Sequence, residues 1–227
     1  MNLARRVLAE ERMDAPDLDP AIYAAVLGDL ARVNSVTMSR GPTLAFLARA
    51  TKGRDRTRIL DVGFGDGDML RAIARWARRR GIAVELVGVD LNPRSAAVAR
   101  AATPADMIID YRTGDHADLG DFDLIISSLV AHHMSHDQLL AFLRHMERHA
   151  RVGWFINDLH RHRLAHLGFP LLARVMGWHR IVREDGTLSI ARGYRPAEWP
   201  PILGAAGVEG ARVFRAFPFR LCVEKRR

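Results

Sequence analysis

At 227 residues the chain is sized for one domain with a small cap, and its 48% hydrophobic and 26% charged residues are those of a globular protein. The single cysteine, Cys222, excludes an internal disulfide and a cysteine-rich zinc site, and its apolar surroundings in Phe219-Arg220-Leu221-Cys222-Val223 mark it as a core residue. The net charge of +8 admits an anionic partner, but it rests on scattered arginines, with Lys52 and Lys225 the only lysines, which reads as a solvated surface.

No apolar run approaches the roughly 18 residues of a membrane span. The start, Met1-Asn2-Leu3-Ala4-Arg5-Arg6, runs into charge and not into a secretory leader. A cytoplasmic location is expected. Residues 1–52 read as a helical cap or lid. Asp19-Pro20 pairs an N-cap with proline at the first helical position, and Ile22, Tyr23, Val26, Leu27, Leu30 and Val33 follow at helical spacing. Gly41-Pro42 reads as a break, after which Leu44, Phe46 and Leu47 open a helix ending near Gly53. From residue 53 strands and helices alternate. Strands are expected at 58–62, 84–90, 107–111, 122–127 and 152–157, with helices between them at 69–81, 93–101 and 137–149. Residues 160–193 break the rhythm as a basic, aromatic, partly helical insertion, expected to act as a lid. Two strands at 213–217 and 219–224, joined through Pro218, close the chain as an edge pair. The pattern predicts an α/β fold in which residues 53–227 form a Rossmann-like, seven-stranded, doubly wound sheet, mostly parallel with an antiparallel last strand. Its ligand crevice lies at the strand C-termini.

The first strand ends in Asp61-Val62-Gly63-Phe64-Gly65-Asp66-Gly67, and a helix begins at once. Glycines let the backbone turn sharply and approach a ligand, and the helix start offers free N–H groups. The spacing is G-x-G-x-G and not G-x-G-x-x-G. A pyrophosphate here meets the charges of Asp61 and Asp66, whereas an ammonium and a sulfonium do not, so the charges favour S-adenosylmethionine over a dinucleotide. Asp90, ending the second strand roughly 20 residues on, is placed for the ribose hydroxyls, with Leu91 against adenine. In Gly114-Asp115-His116, Asp115 is expected beside the exocyclic amine and His116 next to it. Arg40, ahead of the first strand, is a candidate for the cofactor carboxylate, with a surface role equally open.

The order of D-x-G-x-G-x-G, Gly88-Val89-Asp90, Gly114-Asp115-His116 and Phe122-Asp123-Leu124-Ile125-Ile126-Ser127-Ser128 resembles class I S-adenosylmethionine-dependent methyltransferases over about residues 55–160. Leu129-Val130-Ala131-His132-His133-Met134 is similar to the His-His turn of bacterial small-molecule methyltransferases acting on quinones, phenols and polyketides. Residues 11–19 and 157–166 resemble enzymes of phenolic-lipid and polyketide pathways, a setting of secondary metabolism. The resemblance implies cofactor contacts from Ser128 and Leu129 and release of S-adenosylhomocysteine.

Histidine suits the removal of a proton from an acceptor hydroxyl near neutral pH. His133 is favoured over His132 as that base, and either has a structural reading as a helix cap. His132, Asp158 and Arg161 are expected around the acceptor, with Asp158 orienting it or pairing with Arg161. No metal site is expected: His162 and His166 are one helical turn apart, but no H-E-x-x-H motif accompanies them. The expected activity is methyl transfer to a small molecule, most simply a hydroxyl of an aromatic, polyketide-like or quinone-like compound. The alternatives are an RNA methyltransferase and a non-catalytic S-adenosylmethionine-binding protein. Strand four lacks the Asn/Asp-Pro-Pro-aromatic turn that holds a flipped base, which speaks against nucleic acid. Peripheral membrane contact and a monomeric or homodimeric state both fit the sequence.

Overall fold

The computed structural model describes residues 3–227. Helices α1 (Pro20–Val36) and α2 (Arg40–Ala50) lead into β1 (Arg56–Val62), α3 (Asp68–Arg80), β2 (Ala83–Asp90), α4 (Pro93–Ala102), β3 (Asp110–Thr113), β4 (Phe122–Ser128), α5 (His136–His149) and β5 (Ala150–Leu159). Then come α6 (Arg163–Val175), α7 (Arg180–Arg192), α8 (Trp199–Ala206), β6 (Arg212–Ala216) and β7 (Arg220–Arg226). Seven strands form one sheet in the order β3-β2-β1-β4-β5-β7-β6. β1 through β5 pair in parallel, and β7 runs antiparallel to both β5 and β6. The order reverses between β1 and β4, which opens a crevice at their C-terminal ends.

Local signals account for most element ends. The Asp19 side chain accepts the Ala21 N–H at 2.7 Å to start α1. Ser135 and Gln138 form a reciprocal capping box at α5, and Asn92 caps α4. Gly41-Pro42, expected as a break, instead lies in the first turn of α2, where the missing proline N–H has no helical partner to lose. The third strand is Asp110–Thr113 and not 107–111: as the edge strand it pairs only with β2, in register Val87↔Asp110 to Asp90↔Thr113, and Ile108 is left exposed.

Three apolar clusters hold the chain together. One packs α5 and α8 on one sheet face, through Phe142, Leu143, Trp154 and Trp199. Another packs α2, α3 and α4 on the other, through Phe46, Leu70, Ile73 and Phe155. Cys222 lies in this second cluster, and burial pushes its thiol pKa up to about 12. The third joins α1 to the α6–α7 hairpin through Val26, Val33, Ala173, Trp178 and Val182. Helix α1 and the helices of the insertion thus share one core, while α2 packs on the sheet. The N-terminal segment is laced to the same roof. Asp185 of α7 accepts the N–H groups of Arg12 and Met13 at 3.1 and 2.9 Å, and Arg192 donates to Ala9 O at 2.8 Å.

Candidate active site

Gly63, Gly65 and Gly67 in the β1–α3 loop all have positive φ, at 75°, 57° and 77°. Space demands glycine too: a Cβ at 63 collides with Val130, and one at 67 collides with the Tyr111 ring. The loop borders a cleft of about 800 Å³, roofed by Leu164, Phe169 and Leu172 of α6 and by Val182 of α7. Asp61, Gly63, Phe64, Gly65, Asp90, Leu91, Asp115, His116, Ser128, Leu129, His132 and His133 all line it. Gly67 shapes the turn from behind, against Tyr111.

The acids of the loop divide by partner. Asp66 is neutralised by Arg71, with Nη2 to Oδ2 at 2.7 Å. Asp61 is 1% exposed, and its Oδ1 has no hydrogen-bond partner among the described residues. Burial, with Asp68 and Asp90 adding like charge, raises its pKa well above the usual carboxylate range. Asp90 accepts the N–H groups of Gly65 and Asn92, each at 2.9 Å, while burial raises its pKa. Asp115 lies at the exposed rim and caps the short turn His116–Asp118 through the Ala117 N–H at 2.9 Å. Leu129, just past β4, is held at φ 63°, an uncommon conformation for a branched side chain, with its N–H on Asn157 O at 2.9 Å.

Next to this acidic end sits a chain of proton-holding groups. Asp158 accepts the His132 backbone N–H at 2.8 Å and lies 2.7 Å from His132 Nδ1. His132 Nε2 faces Glu11 Oε1 at 3.7 Å, and Glu11 Oε2 faces His133 Nε2 at 3.8 Å. Asp14 Oδ2 lies 3.3 Å from His133 Nδ1. Burial presses the His132 pKa down, but Asp158 and then Glu11 overcome it and raise it to about 9. The His132 ring and the N–H groups of Leu159 and His132 hold the Asp158 carboxyl low against its burial. Glu11, His132 and His133 each offer one ligand atom within 4.8 Å of the others. The Glu11 carboxylate is already flanked by cations, with Arg192 Nη1 at 3.9 Å.

Three expected residues are placed elsewhere. Arg40 is 2.8 Å from Asp68, also donates to Ala31 O, and does not line the cleft. Asp158 lies behind His132, its oxygens taken by His132 and by the Leu159 N–H, so it reaches neither acceptor space nor Arg161. Arg161 is buried away from the cleft, where it donates to Leu3 O, Gly193 O and Glu198. A side chain three residues past Asp158 on an extended segment falls on the opposite face, and here Arg161 straps the N-terminus to the sheet through Leu3 O instead. Glu11 and Arg220 line the cleft without having been expected there. Neither stands out locally, because Glu11 resembles its neighbour Glu10 and Arg220 sits in an ordinary strand alternation.

Comparison with known proteins agrees with this architecture. Residues 59–153 match the family model described as a methyltransferase domain. No curated protein matches the chain. Among solved structures, magnesium protoporphyrin IX methyltransferase from Synechocystis PCC 6803, with bound S-adenosylhomocysteine, aligns at TM-score 0.58 and 18% identity over 95% of this chain and 91% of that one. The plantazolicin methyltransferase, in complex with a monoazolic desmethylPZN analogue and S-adenosylhomocysteine, aligns at TM-score 0.62 and 13% identity over 88% of this chain and 89% of that one. Human N-acetylserotonin methyltransferase, in complex with S-adenosylmethionine, aligns at TM-score 0.64 and 14% identity over 92% of this chain, which spans 56% of the human one. With its strand order, glycine loop and cleft in place, this chain has the Rossmann-like class I methyltransferase fold, and residues 59–153 of it match the methyltransferase-domain model.

Proposed function

We propose that the protein transfers a methyl group from S-adenosylmethionine to a small molecule, at a hydroxyl of an aromatic, polyketide-like or quinone-like acceptor. The observation that carries the donor is Asp61, a buried carboxylate with an unpaired oxygen at a phosphate-unfriendly glycine loop. An ammonium group satisfies it, and Asp90 beside the same loop suits ribose hydroxyls. In this reading Leu91 and Asp115 serve the adenine end of the donor, and Ser128 and Leu129 the methionine end. When bound, the donor supplies an electrophilic methyl carbon, and its transfer leaves S-adenosylhomocysteine.

The protein's own part is alignment, exclusion of water and proton removal. Helix α1 of the N-terminal cap and the insertion of residues 160–193 act as one lid, which suits a small acceptor better than a nucleic-acid strand. His133, half-buried and steadied at Nδ1 by Asp14, takes the hydroxyl proton on Nε2, and Glu11 stabilises the resulting charge. His132 keeps its proton and positions Glu11. Magnesium protoporphyrin IX and N-acetylserotonin, named for two of the structural neighbours, are both small acceptors. Calorimetry tests the donor assignment: Asp90→Ala weakens S-adenosylmethionine binding at least tenfold, and wild-type affinity in that variant sinks it. Release of S-adenosylhomocysteine on incubation with phenols tests the acceptor class.

A further inference from the structure

Arg220 opens β7, opposite Leu159 at the end of β5. It is 3% exposed and lines the cleft. Its Nη2 donates to Thr37 Oγ1 at 3.1 Å, while Nε and Nη1 have no partner among the described residues. The other deeply buried arginines show how unusual this is. Arg161 donates to Leu3 O, Gly193 O and Glu198, and Arg192 to His132 O, Ala9 O and His133 O. The carboxylates nearest in charge to Arg220 are committed, Asp158 to His132 and Asp68 to Arg40. Burial therefore pulls its pKa down to about 10. A guanidinium taken from water without an anion is costly, and a fold that satisfies its neighbours so fully leaves this one open toward a cavity.

We propose that Arg220 is the anchor for a ligand carboxylate in the cleft. This goes with the reading of the cleft as a donor and acceptor site, and two carboxylates qualify under it: the amino-acid arm of the donor, for which Arg40 is unsuited, or an acid group on the acceptor. Both present planar oxygens that match guanidinium N–H groups. Arg220→Met removes the charge at similar length. Because it also removes an uncompensated buried cation, the variant melts no lower than the wild type.

The probes are S-adenosylhomocysteine, 5′-methylthioadenosine, which lacks the amino-acid arm, and 4-hydroxybenzoate with neutral phenol as its control. If the donor arm is the source, Arg220→Met binds S-adenosylhomocysteine at least tenfold more weakly by calorimetry and 5′-methylthioadenosine unchanged. If the acceptor is the source, S-adenosylhomocysteine binding is unchanged, and thermal protection by 4-hydroxybenzoate, but not by phenol, disappears. A folded Arg220→Met that matches the wild type toward all four probes overturns the anchor. Should that variant not fold, Arg220→Gln is read by the same titrations and the same criteria. A wild type that binds neither adenosine compound refutes the donor reading alone. The anchor then stands or falls on whether 4-hydroxybenzoate protection of the wild type is lost in the variant.

Discussion

His132 holds its proton in a place where burial alone would strip it, because Asp158 and Glu11 flank the ring. Its folded pKa of about 9 lies above the ordinary 6.5, so the proton-linked stability is complete below pH 6.5 and is lost as the pH rises through about 9. Thermal melts across that range should show Tm falling, and Asp158→Asn should flatten the fall. His133 lines the same cleft but is half-buried where His132 is fully buried. His133→Gln should lower kcat by about 10²-fold or more while leaving S-adenosylhomocysteine affinity unchanged by calorimetry, as expected for loss of an acid–base group. Equal losses in both would instead mark it as a binding residue. The residues legible in the sequence, Asp61, Gly63 and Asp90, draw their meaning from a contiguous strand–loop–helix. Glu11 and Arg220 draw theirs from contacts with segments far along the chain, and no local pattern distinguishes them from solvated charges.

The strands were readable for the same reason the lid was not. A buried parallel strand such as β4, Phe122–Ser128, needs an unbroken apolar run, and the chain supplies one. The α6–α7 hairpin carries apolar side chains on its outside as well, with Leu167, Leu171 and Val175 exposed, and it tolerates Pro170 inside α6. Helical periodicity is blurred by that double-sided pattern, so the sequence suggests an irregular insertion where two regular helices form. What fixes them is their shared core with α1. Trp178→Ala should cost roughly 3–5 kcal/mol there. Because this core is separate from the two that hold the sheet, the cost should appear as faster hydrogen exchange in α6 and α7, with exchange in β4 and β5 little changed. Equal acceleration across the sheet would show the lid and the sheet to be one cooperative unit.

At the scale of the molecule, the strand ends supply one side of the cleft and α1, α6 and α7 supply its other walls. No helix among the described residues is long and apolar enough to cross a membrane. Ligand entering the cleft touches both parts, so S-adenosylhomocysteine should slow exchange in α7 and in residues 11–14 as well as in the glycine loop. Protection confined to the loop would mean that the lid does not close on the donor.

The lacing of residues 9–13 to α7 bears on how such a scaffold can be re-engineered. Ser189 donates to Glu11 at 2.7 Å, and Asp185 grips the two following amides, so the acidic partner of the histidine pair is delivered by one segment and aimed by another. A chimera that exchanges the insertion alone inherits a foreign aim for Glu11, and one that exchanges the N-terminus alone loses the grip. Transplanting acceptor preference between relatives of this architecture therefore calls for moving both segments as a matched set, with the β1-to-β5 platform left in place.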